Sequence, residues 1–322
     1  MQIGNTELRH GLILAPMAGF SDRAMRLLAR MHGAEYTVTE MVSAKAVTYG
    51  DKKTSLLARI GEDEGAVALQ LFGSEPDTLA RATELMSGGV SGFQPPVAID
   101  INMGCPVNKI FSNGEGSALM RDPELIYRIV KATVGATELP VTVKLRAGVD
   151  LAHVNATECA LAAEAGGASA VALHGRTRVE FYSGRANREL IANVKKSLHI
   201  PLIANGDVAS AEEALDMLSV TGADALMVGR GAIGNPFVFS EIIAALGGGA
   251  YTPPTTEERI ESALLELRLA IEDKGERVAI PASRGRIAMY LRAFKGAAQI
   301  RAEVNHATTY DEVRAALWRA NS

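Results

Sequence analysis

Eight short apolar runs recur along the chain, at residues 12–15, 36–41, 66–71, 97–101, 141–145, 170–173, 201–204 and 223–228. Each is closed by a Gly, Asn, Pro or charged residue. They are almost continuously apolar rather than alternating, the pattern of parallel strands covered on both faces. Helical patterns lie between them. Asp122-Pro123-Glu124 supplies an N-cap, a proline in the first turn and an acid near the positive end of the helix dipole. Ser210 with Glu213 matches a capping box, and Asn235-Pro236 opens another helix. Eight strands alternating with helices over residues 1–246 predict an α/β fold, a (β/α)8 TIM barrel, whose usual size is ~250 residues. A doubly wound open sheet is the rival, but no G-x-G-x-x-G follows the first run.

The pattern then changes. Gly247-Gly248-Gly249 and Pro253-Pro254 form a helix-breaking joint. Beyond it, Thr255 and Glu258 make a capping box, and Ile260, Leu264, Leu267 and Ile271 recur at helical spacing. Residues 252–322 are predicted to form a small C-terminal helical domain.

Composition narrows the class. The chain has 322 residues, 48% hydrophobic and 22% charged, in the ordinary globular range. No apolar run approaches the ~18 residues that span a bilayer, and the N-terminus lacks the order of a signal peptide. Two cysteines make neither a disulfide framework nor a four-ligand zinc site, so no metal is expected and the compartment is read as a reducing cytoplasm. The net charge of −4 argues weakly against a nucleic-acid partner, so the distribution of charge has to be read.

In a barrel of this kind the chemistry sits at the C-terminal ends of the strands. Those ends are polar here: Asp100, Asn102 and Cys105 after the fourth run, Lys144 and Arg146 in the fifth, and His174-Gly175-Arg176-Thr177-Arg178 after the sixth. A charged lysine buried in a strand needs an opposite charge or a ligand. Either Lys144 pairs with Asp100 or Glu40, or it meets the anionic edge of a bound ring. Asn205-Gly206-Asp207 and Gly229-Arg230-Gly231 follow strands seven and eight, the usual phosphate site of a barrel. Glycine admits close backbone approach and Arg230 adds a charged fork, which suits a single phosphate. Asp207 has a second reading, as a helix cap or a brace for Gly206. Cys159 sits in the helical stretch Glu158-Cys159-Ala160-Leu161 and reads as an inert small hydrophobe.

These residues resemble a known family. Ala15-Pro16-Met17-Ala18-Gly19-Phe20-Ser21-Asp22, Gln70-Leu71-Phe72-Gly73, Asp100-Ile101-Asn102-Met103-Gly104-Cys105-Pro106, His174-Gly175-Arg176-Thr177 and Asn205-Gly206-Asp207 are similar to the motifs of bacterial tRNA-dihydrouridine synthases, most of all the B-type branch. The resemblance implies a flavin-bearing barrel with a small helical domain, bound FMN, and reduction of uridine in tRNA with NADPH as reductant, NADH being the alternative. It implies that Pro16, Met17 and Ala18 line the flavin by backbone contacts, and that Gln70 and Lys144 contact its ring with His174 against it. It implies that Asn205, Gly206, Asp207, Gly229 and Arg230 hold the ribityl phosphate. Cys105 becomes the catalytic acid and Asn102 its neighbour beside the uracil. An FMN oxidoreductase of a free pyrimidine, and a non-catalytic RNA-binding barrel, are the alternative readings.

The chemistry agrees. Hydride delivered to uracil C6 leaves enolate-like charge over C5 and the C4 carbonyl, and a thiol of pKa ~8.5 is protonated at neutral pH and can donate to C5. His174 and Arg176 either polarise a substrate carbonyl or hold a phosphate. For RNA, residues 277–301 carry Arg277, Arg284, Arg286, Arg292, Lys295 and Arg301 without an acid, interleaved with Tyr290 and Phe294 for stacking. Arg176, Arg178, Arg185 and Arg188 form a second basic group. Arg176, Arg178, Arg284, Arg286 and Arg292 are the expected RNA contacts, and the protein is expected to act as a monomer without membrane association.

Overall fold

The computed structural model describes residues 1–292 and 296–319. Eight parallel strands close into a barrel: β1 (Leu12–Leu14), β2 (Tyr36–Val38), β3 (Val67–Phe72), β4 (Ala98–Asn102), β5 (Val141–Arg146), β6 (Ala170–His174), β7 (Leu202–Asn205) and β8 (Ala225–Val228). Each pairs with the next, and β8 returns to β1 with Met227 opposite Ile13. Closure satisfies the ladder without edge strands. Every predicted run overlaps one of these strands, five of which extend one residue further. The run at 36–41 breaks after Val38, where the Thr39 hydroxyl takes up the Gln70 N–H, and pairing resumes at Val42–Ser43.

An alternation hidden in the apolar runs decides what faces inward. Ile13, Tyr36, Val38, Ala68, Ala98, Ala170, Ala172, Ile203, Ala225 and Met227 fill the barrel, plugged at its N-terminal end by Ile3 and Leu8. The intervening residues, among them Leu69, Leu71, Ile99, Ile101, Val143, Leu145, Val171 and Leu173, face the surrounding helices. Half of these inner residues are alanine, and all are buried. Two residues further along each strand, the same inward face carries Gln70, Asp100, Asn102, Lys144, Arg146, His174 and Asn205.

The outer helices include α1 (Arg23–Met31), α2 (Pro76–Ser87), α3 (Pro123–Val134), α4 (Ala156–Ala165), α5 (Arg188–Ser197), α6 (Ala211–Thr221) and α7 (Val238–Leu246). Asp122 caps α3 as predicted, its carboxylate accepting the Leu125 N–H. At α6 only half of the capping box forms: Ser210 accepts the Glu213 N–H, while the Glu213 carboxylate reaches Ala209 instead. Cys159 is fully buried in α4.

Beyond the joint come α8 (Thr256–Lys274), α9 (Glu276–Ile287), α10 (Ala297–His306) and α11 (Tyr310–Trp318). The Thr255–Glu258 capping box at the start of α8 is complete. These helices share an apolar cluster that includes Ile260, Leu264, Leu267, Ile287 and Leu317, and Leu28 of α1 joins it. Ala24 of α1 packs against Ala270 and Ala279. The helical segment therefore seats on α1, the helix that follows the β1 loop.

A buried ionic network fixes that seat and corrects two expectations. Arg286 is 3% exposed and pairs with Asp22 at 2.9 Å and Glu266 at 2.6 Å. It also donates to the Phe20 carbonyl at 3.2 Å. Tyr290 is buried and donates to Glu266 at 2.7 Å. Arg286 is thus no RNA contact and Tyr290 no stacking platform: both hold the helical segment to the barrel. Phe294 and Lys295 lie outside the described residues.

Candidate active site

The inward polar residues open into a cavity of about 1490 Å³ at the C-terminal end of the barrel. Cys105 stands on its wall, in the loop that follows β4. That loop is held at several points. The Asn102 side-chain oxygen accepts the N–H groups of Cys105 at 2.9 Å and Gly104 at 3.3 Å. The Ser117 hydroxyl donates to the Cys105 carbonyl at 2.8 Å. Gly116, at φ +60°, lets the two segments touch: a Cβ there would stand 3.0 Å from that of Cys105. Burial pushes the thiol pKa up, against smaller opposing effects from the Val107 N–H, Arg146 and Lys144. Cys105 therefore carries its proton at neutral pH.

Beneath the loop runs a chain of buried groups. Asn102 donates to Gln70 at 2.9 Å, and Gln70 donates to Asp100 at 2.6 Å. The other Asp100 oxygen accepts the Thr142 hydroxyl at 2.5 Å. Lys144 stands beside this chain but forms an ion pair with neither Asp100 nor Glu40. Its ammonium donates to the neutral side-chain oxygen of Asn205 at 2.9 Å. Burial, and then Arg146, push its pKa down to about 8. A partly buried cation with a neutral partner is the electrostatic signature of a site awaiting an anion.

The β7 and β8 loops form the far wall. Gly206, at φ +126°, passes so close to the β6 loop that a Cβ would stand 2.6 Å from Ala186 and 2.9 Å from His174. At Gly231 a Cβ would meet the Val208 carbonyl at 2.2 Å. Arg230 is 47% exposed and lies 4.4 Å over the Tyr182 ring, with one oxygen of Asp207 at 3.3 Å. The Asp207 carboxylate also accepts from Arg176 and from the Ala186 N–H, both at 2.7 Å. Its side chain is therefore a brace between loops, and Asp207 lines the cavity with Asn205 and Gly229.

Arg176 is likewise corrected. It is 1% exposed, and besides Asp207 it donates to the Ser183 and Gly184 carbonyls at 2.8 and 2.7 Å. It cannot reach RNA; it folds the β6 loop over the cavity. His174 has Arg176 at 3.3 Å from Nε2. Burial, Lys144 and Arg146 hold its pKa well below the usual imidazole range, so the ring is neutral. Arg178 stacks on Phe111 at 3.7 Å and bonds to Asn108, linking the β6 loop to the short helix after Cys105. Arg284 donates to the Ala307 carbonyl, while Arg292 is exposed and lines the cavity mouth beside Met289. Pro16, Met17 and Ala18, in the loop after β1, also line the cavity.

Two lining residues went without a role in the sequence. Arg146 donates to the carbonyls of Gly104, Thr177 and Phe181, each at 2.9 Å, tying the Cys105 loop to the β6 loop. The two-residue spacing from Thr142 and Lys144 would have placed it inside the barrel. Tyr182 lies on an exposed loop turn whose sequence carries no periodic signal.

Comparison with known proteins places the chain in a family. Residues 13–321 match the family model described as dihydrouridine synthase (Dus). The chain is 40% identical to the tRNA-dihydrouridine synthase B of Pseudomonas aeruginosa, over 95% of this chain and 91% of that one. It is 38% identical to a probable tRNA-dihydrouridine synthase of Treponema pallidum, over 98% and 95% of the two chains. Among solved structures, the old yellow enzyme homologue from Zymomonas mobilis superposes with a TM-score of 0.52 at 13% identity, covering 80% of this chain and 94% of that one. Morphinone reductase gives a TM-score of 0.50 at 13% identity, over 80% and 91%. Likeness at that identity speaks for the barrel fold.

Proposed function

The chain belongs to the dihydrouridine synthase family, and from that premise we propose that it reduces the C5=C6 bond of uridines in tRNA to 5,6-dihydrouridine, with FMN as bound cofactor and NADPH as reductant. The observation that carries this reading is the meeting, in one cavity, of a protonated thiol and a lysine whose ammonium bonds to a neutral amide rather than to a carboxylate.

The residues present fit the cofactor. Lys144 offers a cation where the flavin N1–O2 edge would lie. Gly206, Gly229, Arg230 and the Asp207 backbone offer the phosphate cradle, and Pro16, Met17, Ala18, Gln70 and His174 the walls. FMN held there, once reduced by NADPH, would supply the hydride for uracil C6. Cys105 gives its proton to C5 and is reprotonated from solvent, so the nucleobase gains two electrons and two protons. Asn102 holds the loop that carries the thiol. A target uridine reaches this depth only when turned out of its stack, and neutral His174 can then donate without adding charge. Arg178, Arg284 and Arg292 are the remaining candidates for RNA phosphate, Arg284 with part of its capacity spent on Ala307.

The test is direct. Purified protein is yellow, and it forms dihydrouridine, detected by mass spectrometry, in tRNA from a strain lacking the modification. Cys105→Ala keeps the flavin and its reduction by NADPH while product formation falls at least about 100-fold. Normal product formation in that variant removes Cys105 from the reaction.

A further inference from the structure

We propose that Asp100 is a positioning residue for the proton-donating loop: as the acceptor-only end of the buried chain Asp100–Gln70–Asn102–Cys105, it fixes which end of each side-chain amide points along the chain. The proposal rests on the reading of Cys105 as the proton donor.

A side-chain amide is nearly symmetric in shape but opposite in chemistry at its two ends, so a row of amides can run in either direction. Here both ends of the row dictate one direction. At the loop end, two N–H groups, of Cys105 and Gly104, converge on a single Asn102 atom, which must be the oxygen. Its nitrogen then donates to the Gln70 oxygen, and the Gln70 nitrogen to Asp100. An ionised carboxylate has no proton to offer, so the row cannot reverse without leaving a buried donor or acceptor unpaired. Reversal would set the Asn102 NH2 against two N–H groups and release the loop that holds the thiol.

Asp100 is built to stay acceptor-only toward Gln70. It is 2% exposed, and Thr142 occupies its second oxygen. The titratable groups facing it are Tyr36 from β2 and Lys144 from β5. The Lys144 charge favours the carboxylate, while burial pushes its pKa up to about 6. If Asp100 takes up a proton, the Thr142 oxygen can accept it, and the Gln70 side of the chain is undisturbed.

Asp100→Asn in a Thr142→Val background is the test. With no Thr142 oxygen to take its N–H, the new amide can donate to Gln70, so the row loses its fixed direction. The expected result is flavin content, flavin reduction by NADPH and tRNA KM near wild type, with dihydrouridine formation per turnover lower by about 10–100-fold, the usual effect of an outer hydrogen-bond partner. Adding Gln70→Glu gives a new acceptor-only group one step nearer the loop, and part of the lost turnover returns relative to the double variant. Unchanged turnover in Asp100→Asn/Thr142→Val, or a loss that Gln70→Glu leaves untouched, overturns the proposal.

If the double variant does not fold, Thr142→Val alone serves. Removing the hydroxyl leaves protonated Asp100 with Gln70 as its remaining partner in the row. Turnover then holds at pH 8 and falls more steeply than wild type as the pH approaches 6; an unaltered pH profile overturns the proposal. Wild-type product formation in Cys105→Ala would instead sink the donor reading on which this one rests.

Discussion

At the scale of single residues, the site is an argument about unpaired charge. Lys144 is held in the barrel by Asn205 rather than by a carboxylate, and burial lowers its pKa to about 8 from an ordinary 10.5. Between those two values the folded apoprotein binds fewer protons than the unfolded chain, so its stability rises with pH there; below about pH 8 the penalty is fully present. Lys144→Met should therefore stabilise the FMN-free protein at pH 7 by on the order of 2–3 kcal/mol. The gain should vanish as pH rises above the unfolded value, which denaturation at pH 7 and 10.5 measures. The same substitution should weaken FMN binding at least about tenfold, read by fluorescence titration. Stability gained where affinity is lost would mark a residue kept for its ligand.

At the scale of elements, the β6 and β7 loops work as one piece. Arg176 and Asp207 join them, and Gly206 makes their contact close enough. An alanine at 206 would have to adopt φ +126° and overlap both Ala186 and His174. Gly206→Ala should lower stability by about 1–3 kcal/mol and reduce FMN affinity, because the loop must retreat from the cradle it helps to form. Thermal unfolding with and without FMN separates the two effects. The opposite wall is tied by Arg146, which draws the Cys105 and β6 loops together. Both arginines join loops through partners remote in sequence, Arg176 through the Asp207 carboxylate and Arg146 through backbone carbonyls.

At the scale of the whole molecule, the basic stretch of residues 277–301 divides into structural and free cations. Arg286 belongs to the Asp22–Glu266 network that seats α9 against the β1 loop. Arg292 projects at the cavity mouth. Arg286→Met should lower stability by about 3–5 kcal/mol, since it leaves Asp22 and Glu266 buried beside one fewer cation. Arg292→Ala should leave thermal stability within about 0.5 kcal/mol of wild type. It should also weaken tRNA binding and reduce the slope of log affinity against log salt by about 0.7–0.9. Filter binding across a salt series distinguishes the two variants. An unaltered slope in Arg292→Ala would remove that residue from the RNA surface.

The sequence by itself determined the barrel. Strand runs, caps and breaks are local properties, and burial on both faces forces a composition that can be read without coordinates. Local logic also carried the Cys105 loop, because a strand ending in Asn-Met-Gly-Cys-Pro must turn sharply at the mouth. The tertiary structure alone decided which charges are partnered. Arg286 and Arg292 are alike in sequence, six positions apart in one basic stretch; only the approach of Asp22 and Glu266, remote in the chain, buries the first and leaves the second in water. Asp100 and Gln70 stand on neighbouring strands, and their hydrogen bond exists because the register of that parallel pair sets one opposite the other. Patterning records how much of a residue is buried, whereas the identity of its partner is fixed by distance in space.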